Sequence, residues 1–158
     1  GPGKLLALPY LSGERTPHND SAIRGAIVGL SQDTTIEEIT LAFLESIVFS
    51  LADGFDALVE NNVKPERLIL VGGGSRSNFL AQLIASILDI NIIVCRSSAY
   101  ASSIGAARLA RLAAKNDTLK DVIVTLPVTK SFEPDKLLNT QYAEKILEFR
   151  LLYGRLRN

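Results

Sequence analysis

Leu68-Ile69-Leu70-Val71-Gly72-Gly73-Gly74-Ser75-Arg76-Ser77-Asn78 is the stretch on which the fold turns. A short continuous apolar run stopped by glycines suits a strand covered on both faces rather than one with a solvated side. The residues that follow, Phe79, Leu80, Leu83, Ile84, Ile87 and Leu88, recur at helical spacing, which predicts a helix over about 78–88. Downstream the pattern repeats: Ile90 to Cys95 reads as an apolar strand, and Ala101 to Ala114 as an alanine-rich helix with Arg108, Arg111 and Lys115 along one exposed face. Upstream, Thr34 with Glu37, or Thr35 with Glu38, fits a capping box that opens a long helix ending near Asn61-Asn62. Ile36, Ile39, Phe43, Ile47, Leu51, Phe55 and Leu58 form its stripe, widened by Leu44, Val48 and Val59, so that helix is expected to be largely buried. The order helix, strand, helix, strand, helix predicts an α/β layer with at least two parallel strands joined by a right-handed crossover.

The flanks are less regular. Residues 4–35 carry Pro9, Gly13, Pro17, Asn19-Asp20, Gly25 and Gly29, and read as loop with one or two short strands. Residues 116–134 read as polar and irregular, with a short apolar piece at Val122 to Leu126 and breakers at Pro127 and Pro134. A last helix is predicted from Asp135 to about Tyr153, with Leu138, Tyr142, Ile146, Phe149 and Tyr153 as its stripe.

Composition narrows the function. At 158 residues and 47% hydrophobic, the chain suits one domain or part of a larger protein, and global disorder is excluded. Its 17 basic residues balance 17 acidic ones, so no net field favours nucleic acid or an anionic membrane as a partner. One cysteine, Cys95, forms no intrachain disulfide, and with one histidine, His18, it excludes the common zinc sites; a cytoplasmic setting is expected. No apolar run reaches the length of a membrane span. The chain has no methionine, so Gly1-Pro2-Gly3 reads as a processed or engineered end on a domain over 4–158 that is expected to lack part of its N-terminal side.

Two segments carry most of the candidate chemistry. Between a buried strand and a helix start, Gly72 to Asn78 offers small residues and helix N-terminal amides, which admit an anionic ligand close to the backbone. It has neither the lysine of a P-loop nor a third glycine where Ser77 stands, so a plain turn capped by Ser75 or Ser77 is an equal reading. Ser12 to Asp20 is dense in polar side chains, and its Arg15 suits oxyanions, although a solvated turn explains the same composition. His18 reads as stabilising that turn. Asp53 and Asp56 read as solvated or capping residues of the long helix, and Cys95 as a small core residue.

Pro9 to Asp20, with Ser12-Gly13-Glu14-Arg15-Thr16-Pro17 at its centre, resembles the corresponding segment of the xylulokinase branch of the FGGY carbohydrate kinases. Gly25 to Leu30 with Glu38, Ala42, Leu44 and Glu45 is similar to that family's C-terminal signature. The triglycine segment, Gly105 to Ala110 and the Tyr142 to Tyr153 helix follow in the same order. The resemblance implies a ribonuclease H-like, actin-like ATPase fold and the ATP-binding C-terminal domain of a kinase. The parent would transfer the γ-phosphate of ATP to D-xylulose with Mg²⁺ assistance. Gly73 and Gly74 would give backbone approach to the nucleotide, with Ser77 and Asn78 touching it. Arg15 and Thr16 would line the cleft shared with an N-terminal sugar-binding domain of the same kinase. The family's catalytic aspartate lies earlier than these residues, so the implied set includes no catalytic residue here and the chain alone is expected to be inactive. A related kinase for another sugar or polyol, or a non-catalytic nucleotide-binding module, are the alternatives, and a homodimer is compatible with any of them.

Overall fold

A computed structural model describes residues 1–114 and 117–157. The chain divides into two compact units: the first holds Gly1–Pro65, Ser86–Asp89 and Pro134–Asn158, the second Glu66–Ala85 and Ile90–Glu133.

In the first unit two short strands, β1 (Leu6–Leu8) and β2 (Ala26–Val28), pair antiparallel with Ala7 opposite Ile27. The long helix α1 (Ile36–Glu60) opens on the Thr35 and Glu38 alternative of the capping box: the Glu38 amide donates to Thr35 Oγ1 at 3.2 Å and the Thr35 amide to Glu38 Oε2 at 3.0 Å. Its C-cap is Asn61, as the sequence predicts. The final helix α5 (Lys136–Leu156) is capped by Asp135, whose carboxylate accepts from the amides of Leu137 and Leu138. Phe49 of α1, Tyr142 and Phe149 of α5 and Tyr10 build an aromatic core, with ring centroids 5.4 Å apart for Phe49 and Phe149.

The face that α1 buries is not the predicted one. Ala42, Glu45, Ser46, Val48, Phe49, Ala52 and Asp53 are buried, whereas Ile36, Ile47, Leu51 and Leu58 of the expected stripe are exposed. Periodicity counts apolar side chains and so assigns acids to solvent; here Glu45 and Asp53 face inward because partners on α5 neutralise them. Ile47, Leu51 and Leu58, spaced at four and seven residues, leave an apolar line on α1. Concentration-dependent self-association is therefore expected in sedimentation, and a clean monomer at high concentration without dye binding would contradict it.

The second unit is a three-stranded sheet of order β3-β4-β5. Strands β3 (Arg67–Ile69) and β4 (Asn91–Cys95) are parallel, with Leu68 opposite Ile92. Helix α2 (Asn78–Leu88) connects them, matching the predicted strand-helix-strand order. The central strand β4 has the buried run expected of it. The edge strand β3 does not: it is shorter than predicted, and Ile69 and Val71 are 56% and 51% exposed. Strand β4 pairs with both of its neighbours and β3 with β4 alone, and the exposure of Ile69 shows that β3 is not covered on both faces among the described residues.

Helix α3 (Ala101–Ala114) has the predicted bounds. Arg108 and Arg111 are not simply solvated: Arg108 Nη2 donates to the Val124 carbonyl at 2.5 Å, and Arg111 pairs with Asp117 at 2.9 Å. Lys115 lies outside the described residues. The stretch read as irregular contains a one-turn helix α4 (Leu119–Val122), closed by a Thr118 and Asp121 capping box, and a strand β5 (Val128–Phe132) antiparallel to β4. Val122 is buried, but Ile123 and Val124 are exposed and form no strand. Val-Thr-Lys-Ser-Phe escapes a hydrophobicity reading because an edge strand needs few apolar residues, and the prolines that look like breakers merely bracket it.

Candidate functional site

Strands β3 and β4 run parallel and each ends in a tight turn, Gly73–Arg76 after β3 and Ser98–Tyr100 after β4. In open α/β sheets the carboxyl ends of parallel strands are where ligands gather, because the loops there offer backbone amides free of the sheet. Gly72 adopts φ 78°, a left-handed conformation that favours glycine. Its carbonyl accepts from both the Ser75 hydroxyl at 2.7 Å and the Ser75 amide at 3.2 Å. The Gly72 amide donates to the Ser98 carbonyl at 2.9 Å, and the Cys95 amide donates to Ser98 Oγ at 2.9 Å. The two turns are thus bonded to each other as well as to their strands. Cys95 itself is buried, as expected of a core residue.

Ser77 accepts from the Leu80 amide at 3.1 Å and caps the first turn of α2. Asn78 Oδ1 accepts from Lys130 Nζ of β5 at 2.7 Å, which leaves the amide's two N–H donors for other partners. A β-carbon added at Gly73 would meet nothing within 4 Å, and one at Gly74 would meet only the end of the Leu80 side chain at 3.2 Å. Gly73, Gly74, Ser77 and Asn78 therefore lie together on a turn whose glycine side is open. Arg76 and Tyr100 stand beside them: Arg76 Nη2 donates to the Tyr100 hydroxyl at 3.3 Å, with its guanidinium carbon 5.6 Å from the ring centroid.

Arg15 and Thr16 belong to the first unit, where Ser12–Asp20 folds into a fixed turn. The Glu14 amide donates to the Asp20 carbonyl at 2.7 Å, and Glu14 Oε2 accepts from the His18 amide at 2.8 Å. Asp20 accepts from the Ile23 and Ala22 amides, which hold its carboxyl below the usual carboxylate range. The His18 ring stacks on Tyr153 at 3.8 Å, in keeping with a turn-stabilising role. Arg15 and Thr16 sit exposed on this turn, and among the described residues the Arg15 guanidinium meets no hydrogen-bond or ion-pair partner. Ser12, Glu14, Arg15 and Asn19 line a shallow hollow of about 320 Å³.

Two polar networks in the first unit escaped the sequence reading. Glu45, with its side chain 1% exposed, accepts from Lys145 Nζ at 2.5 Å, Tyr142 Oη at 2.8 Å and the Gly3 amide at 2.7 Å. Burial first, and then the hydrogen bond to Glu45, pushes the Tyr142 hydroxyl up. Asp53 is neither solvated nor capping, contrary to expectation: it is buried and pairs with Arg150 at 2.7 Å, while Arg150 also reaches Asp56 at 2.6 Å. Burial raises the Asp53 carboxyl despite the lowering effect of Arg150. Lys145 and Arg150 could have been found only by noticing that they fall on the face of α5 marked by Tyr142, Phe149 and Tyr153. Among the described residues no three histidine, cysteine or acidic side chains group as a metal site, and no helix is long and apolar enough to cross a membrane.

Parallel strands joined by α2, with glycine-rich and serine-rich turns at their carboxyl ends, accord with an α/β fold of the ribonuclease H-like, actin-like kind, the fold of the solved structures the chain resembles. Residues 1–114 match the C-terminal domain of the FGGY family of carbohydrate kinases, and the chain belongs to that family. It is 37% identical over 150 residues to the xylulose kinase of Escherichia coli strain K12, covering 94% of this chain and 31% of that protein. It is similar in structure to a xyloylose kinase from Brucella ovis, with TM-score 0.81, 34% identity, and coverage of 98% of this chain and 32% of that one. A glycerol kinase from Plasmodium falciparum with ADP matches at TM-score 0.76 and 25% identity over 97% of this chain and 31% of that one. The chain spans about a third of the length of the relatives it matches.

Proposed function

We propose that this chain is the nucleotide-binding C-terminal part of an ATP-dependent carbohydrate kinase whose sugar is D-xylulose. The observation that carries the reading is the open triglycine turn at the carboxyl end of a parallel strand, in a chain of this family. On this reading Gly73 and Gly74 let the nucleotide approach the backbone, Ser77 holds the start of α2, and Asn78, fixed by Lys130, turns its N–H donors to the ligand. The similarity to xylulose kinases, together with the Ser12–Pro17 segment, supports D-xylulose over glycerol as the acceptor. A cytoplasmic setting accords with a free cysteine kept buried.

Mg²⁺ is implied by phosphoryl transfer, where it neutralises charge on the phosphates. On this reading this chain's own residues act on the nucleotide, whose phosphates carry the ion. On the same reading the base that accepts the sugar hydroxyl proton, and the sugar pocket, lie in an N-terminal domain of the same kinase. Positioning and charge stabilisation do most of the work in phosphoryl transfer, so half a cleft without its base should give no turnover. A coupled assay of this chain with D-xylulose, ATP and Mg²⁺ is expected to stay at background, and turnover well above it in a preparation free of host kinase would refute this.

Arg15, with Thr16, is assigned to the cleft, because a fixed polar turn presenting an unpaired guanidinium suits an anionic or hydroxyl-rich ligand. In the full-length kinase Arg15→Ala is expected to lower turnover or sugar affinity about tenfold, on the order of 1.4 kcal/mol, with little change in melting temperature. Unchanged kinetics at unchanged stability would return Arg15 to the solvated surface.

A further inference from the structure

We infer that His18 is a positioning residue for the Ser12–Asp20 turn, holding Arg15 and Thr16 at the cleft when its imidazolium pairs with Asp53, an inference that rests on the cleft reading of that turn. Arg15 and Thr16 are exposed, whereas the His18 side chain is only 26% exposed, so the turn shows its arginine outward and sends its imidazole inward. The ring lies flat on Tyr153 of α5, with centroids 3.8 Å apart and planes within 13°, and the Tyr153 hydroxyl donates to Asp20 Oδ2 at 3.3 Å. Pro17 alone separates His18 from Thr16, and the Glu14 amide closes the turn on the Asp20 carbonyl at 2.7 Å. In so short a closed segment, fixing His18 fixes Arg15 and Thr16 as well.

The stack supplies no partner for a charge, but α1 does. Arg150 Nε donates to Asp53 Oδ1 at 2.7 Å, yet Oδ2 of the same carboxylate is buried and meets no donor among the described residues. A buried oxygen of this kind costs stability until a donor reaches it. His18 Nε2 faces it at 4.0 Å, within ion-pair range and longer than a hydrogen bond. Pro17, His18, Asp53, Asp56, Glu60 and Arg150 wall a cavity of about 310 Å³, which leaves room for the ring to close the remaining distance or for one water to bridge it. A neutral imidazole carries its one N–H on either nitrogen, whereas an imidazolium carries both, so that Nε2 always donates and Coulomb attraction is added. The charged and titratable groups around the ring are Asp53, Asp56 and Glu60 on α1, Arg150 and Tyr153 on α5 with Arg157 past its end, and Glu14 and Asp20 in the turn itself. Glu14 and Asp20 are engaged by backbone amides and Arg150 by Asp53 and Asp56, which leaves Asp53 Oδ2 as the acceptor for the charged ring.

The test uses the full-length kinase and compares the parent with His18→Gln, a polar side chain that carries no charge at any pH. The parent's kcat/KM for D-xylulose is expected to exceed the variant's about tenfold near pH 6 and less than about twofold near pH 8.5, with the Michaelis constant for ATP little changed at either. Taking the ratio cancels the titration of groups elsewhere in the kinase. His18→Arg, which also stacks on tyrosine and stays charged, should keep its lead over His18→Gln at both pH values. In an Asp53→Asn background, which keeps the shape of the carboxyl and loses its charge, the ratio of histidine to glutamine should stay within about twofold throughout. A ratio independent of pH, with a melting temperature lowered in proportion, would make His18 an ordinary packing residue and overturn the proposal. Equal rates for His18→Arg and His18→Gln, or a pH-dependent ratio that survives Asp53→Asn, would overturn it too. Arg15→Ala, measured in parallel, separates the two claims: no effect on the sugar kinetics removes the cleft reading, whereas an effect there with a flat His18 ratio removes the positioning role alone.

Discussion

Glu45→Ala is expected to destabilise the first unit by about 3–5 kcal/mol, the range found when one partner of a buried ion pair is removed. Glu45 is fully buried, and the Lys145 side chain is 8% exposed. Removing the carboxylate strands the Lys145 ammonium, the Tyr142 hydroxyl and the Gly3 amide at once, three donors that share its two oxygens. Against a typical total of about 5–15 kcal/mol, the loss is enough to unfold much of the population near body temperature. The double variant Glu45→Leu with Lys145→Met should recover part of the loss, because the stranded charge is gone, while the Tyr142 hydroxyl and the Gly3 amide still lack their acceptor. Urea unfolding followed by circular dichroism measures both. A single variant within 1 kcal/mol of the parent would show that the pair is hydrated in solution, and a double variant as damaged as the sum of its parts would contradict the charge-stranding argument.

The second large effect lies at the triglycine turn. Gly73→Val in the full-length kinase is expected to raise the Michaelis constant for ATP at least tenfold while leaving that for the sugar nearly unchanged, about 1.4 kcal/mol or more at the nucleotide. The substitution is informative because an added β-carbon at Gly73 meets no protein atom within 4 Å, so the branched side chain occupies ligand space rather than core. Gly72 would be a poorer choice, since its φ of 78° would strain any other residue. Steady-state kinetics with either substrate varied, together with a melting curve, separates a blocked site from a damaged fold. Equal ATP kinetics in a well-folded variant would refute the assignment.

What the sequence disclosed follows from what local pattern can carry. The bounds of α2 and α3, the strand β4 and the parallel pairing across α2 were legible, because continuous apolar runs and glycine stops are local signals. The buried face of α1 was not, since its inward residues include Glu45 and Asp53, and their partners Lys145 and Arg150 lie about a hundred positions away. Strand β5 was hidden by its edge position, where Lys130 and Ser131 are as acceptable as valine. At the candidate site the glycines, Ser77 and Asn78 could be read as a loop between strand and helix. Tyr100 and Lys130 could not, because their places beside that loop are set by pairing of β4 with its neighbours rather than by spacing in the chain.

The most direct test of the central claim is a titration of the ¹⁵N-labelled chain with ADP, read as amide chemical-shift changes. The largest shifts are expected on Gly72 to Asn78 and Ser97 to Tyr100, saturating together with one dissociation constant. Shifts confined to Ser12–Asp20 and the helices of the first unit, or none at millimolar ADP, would contradict it.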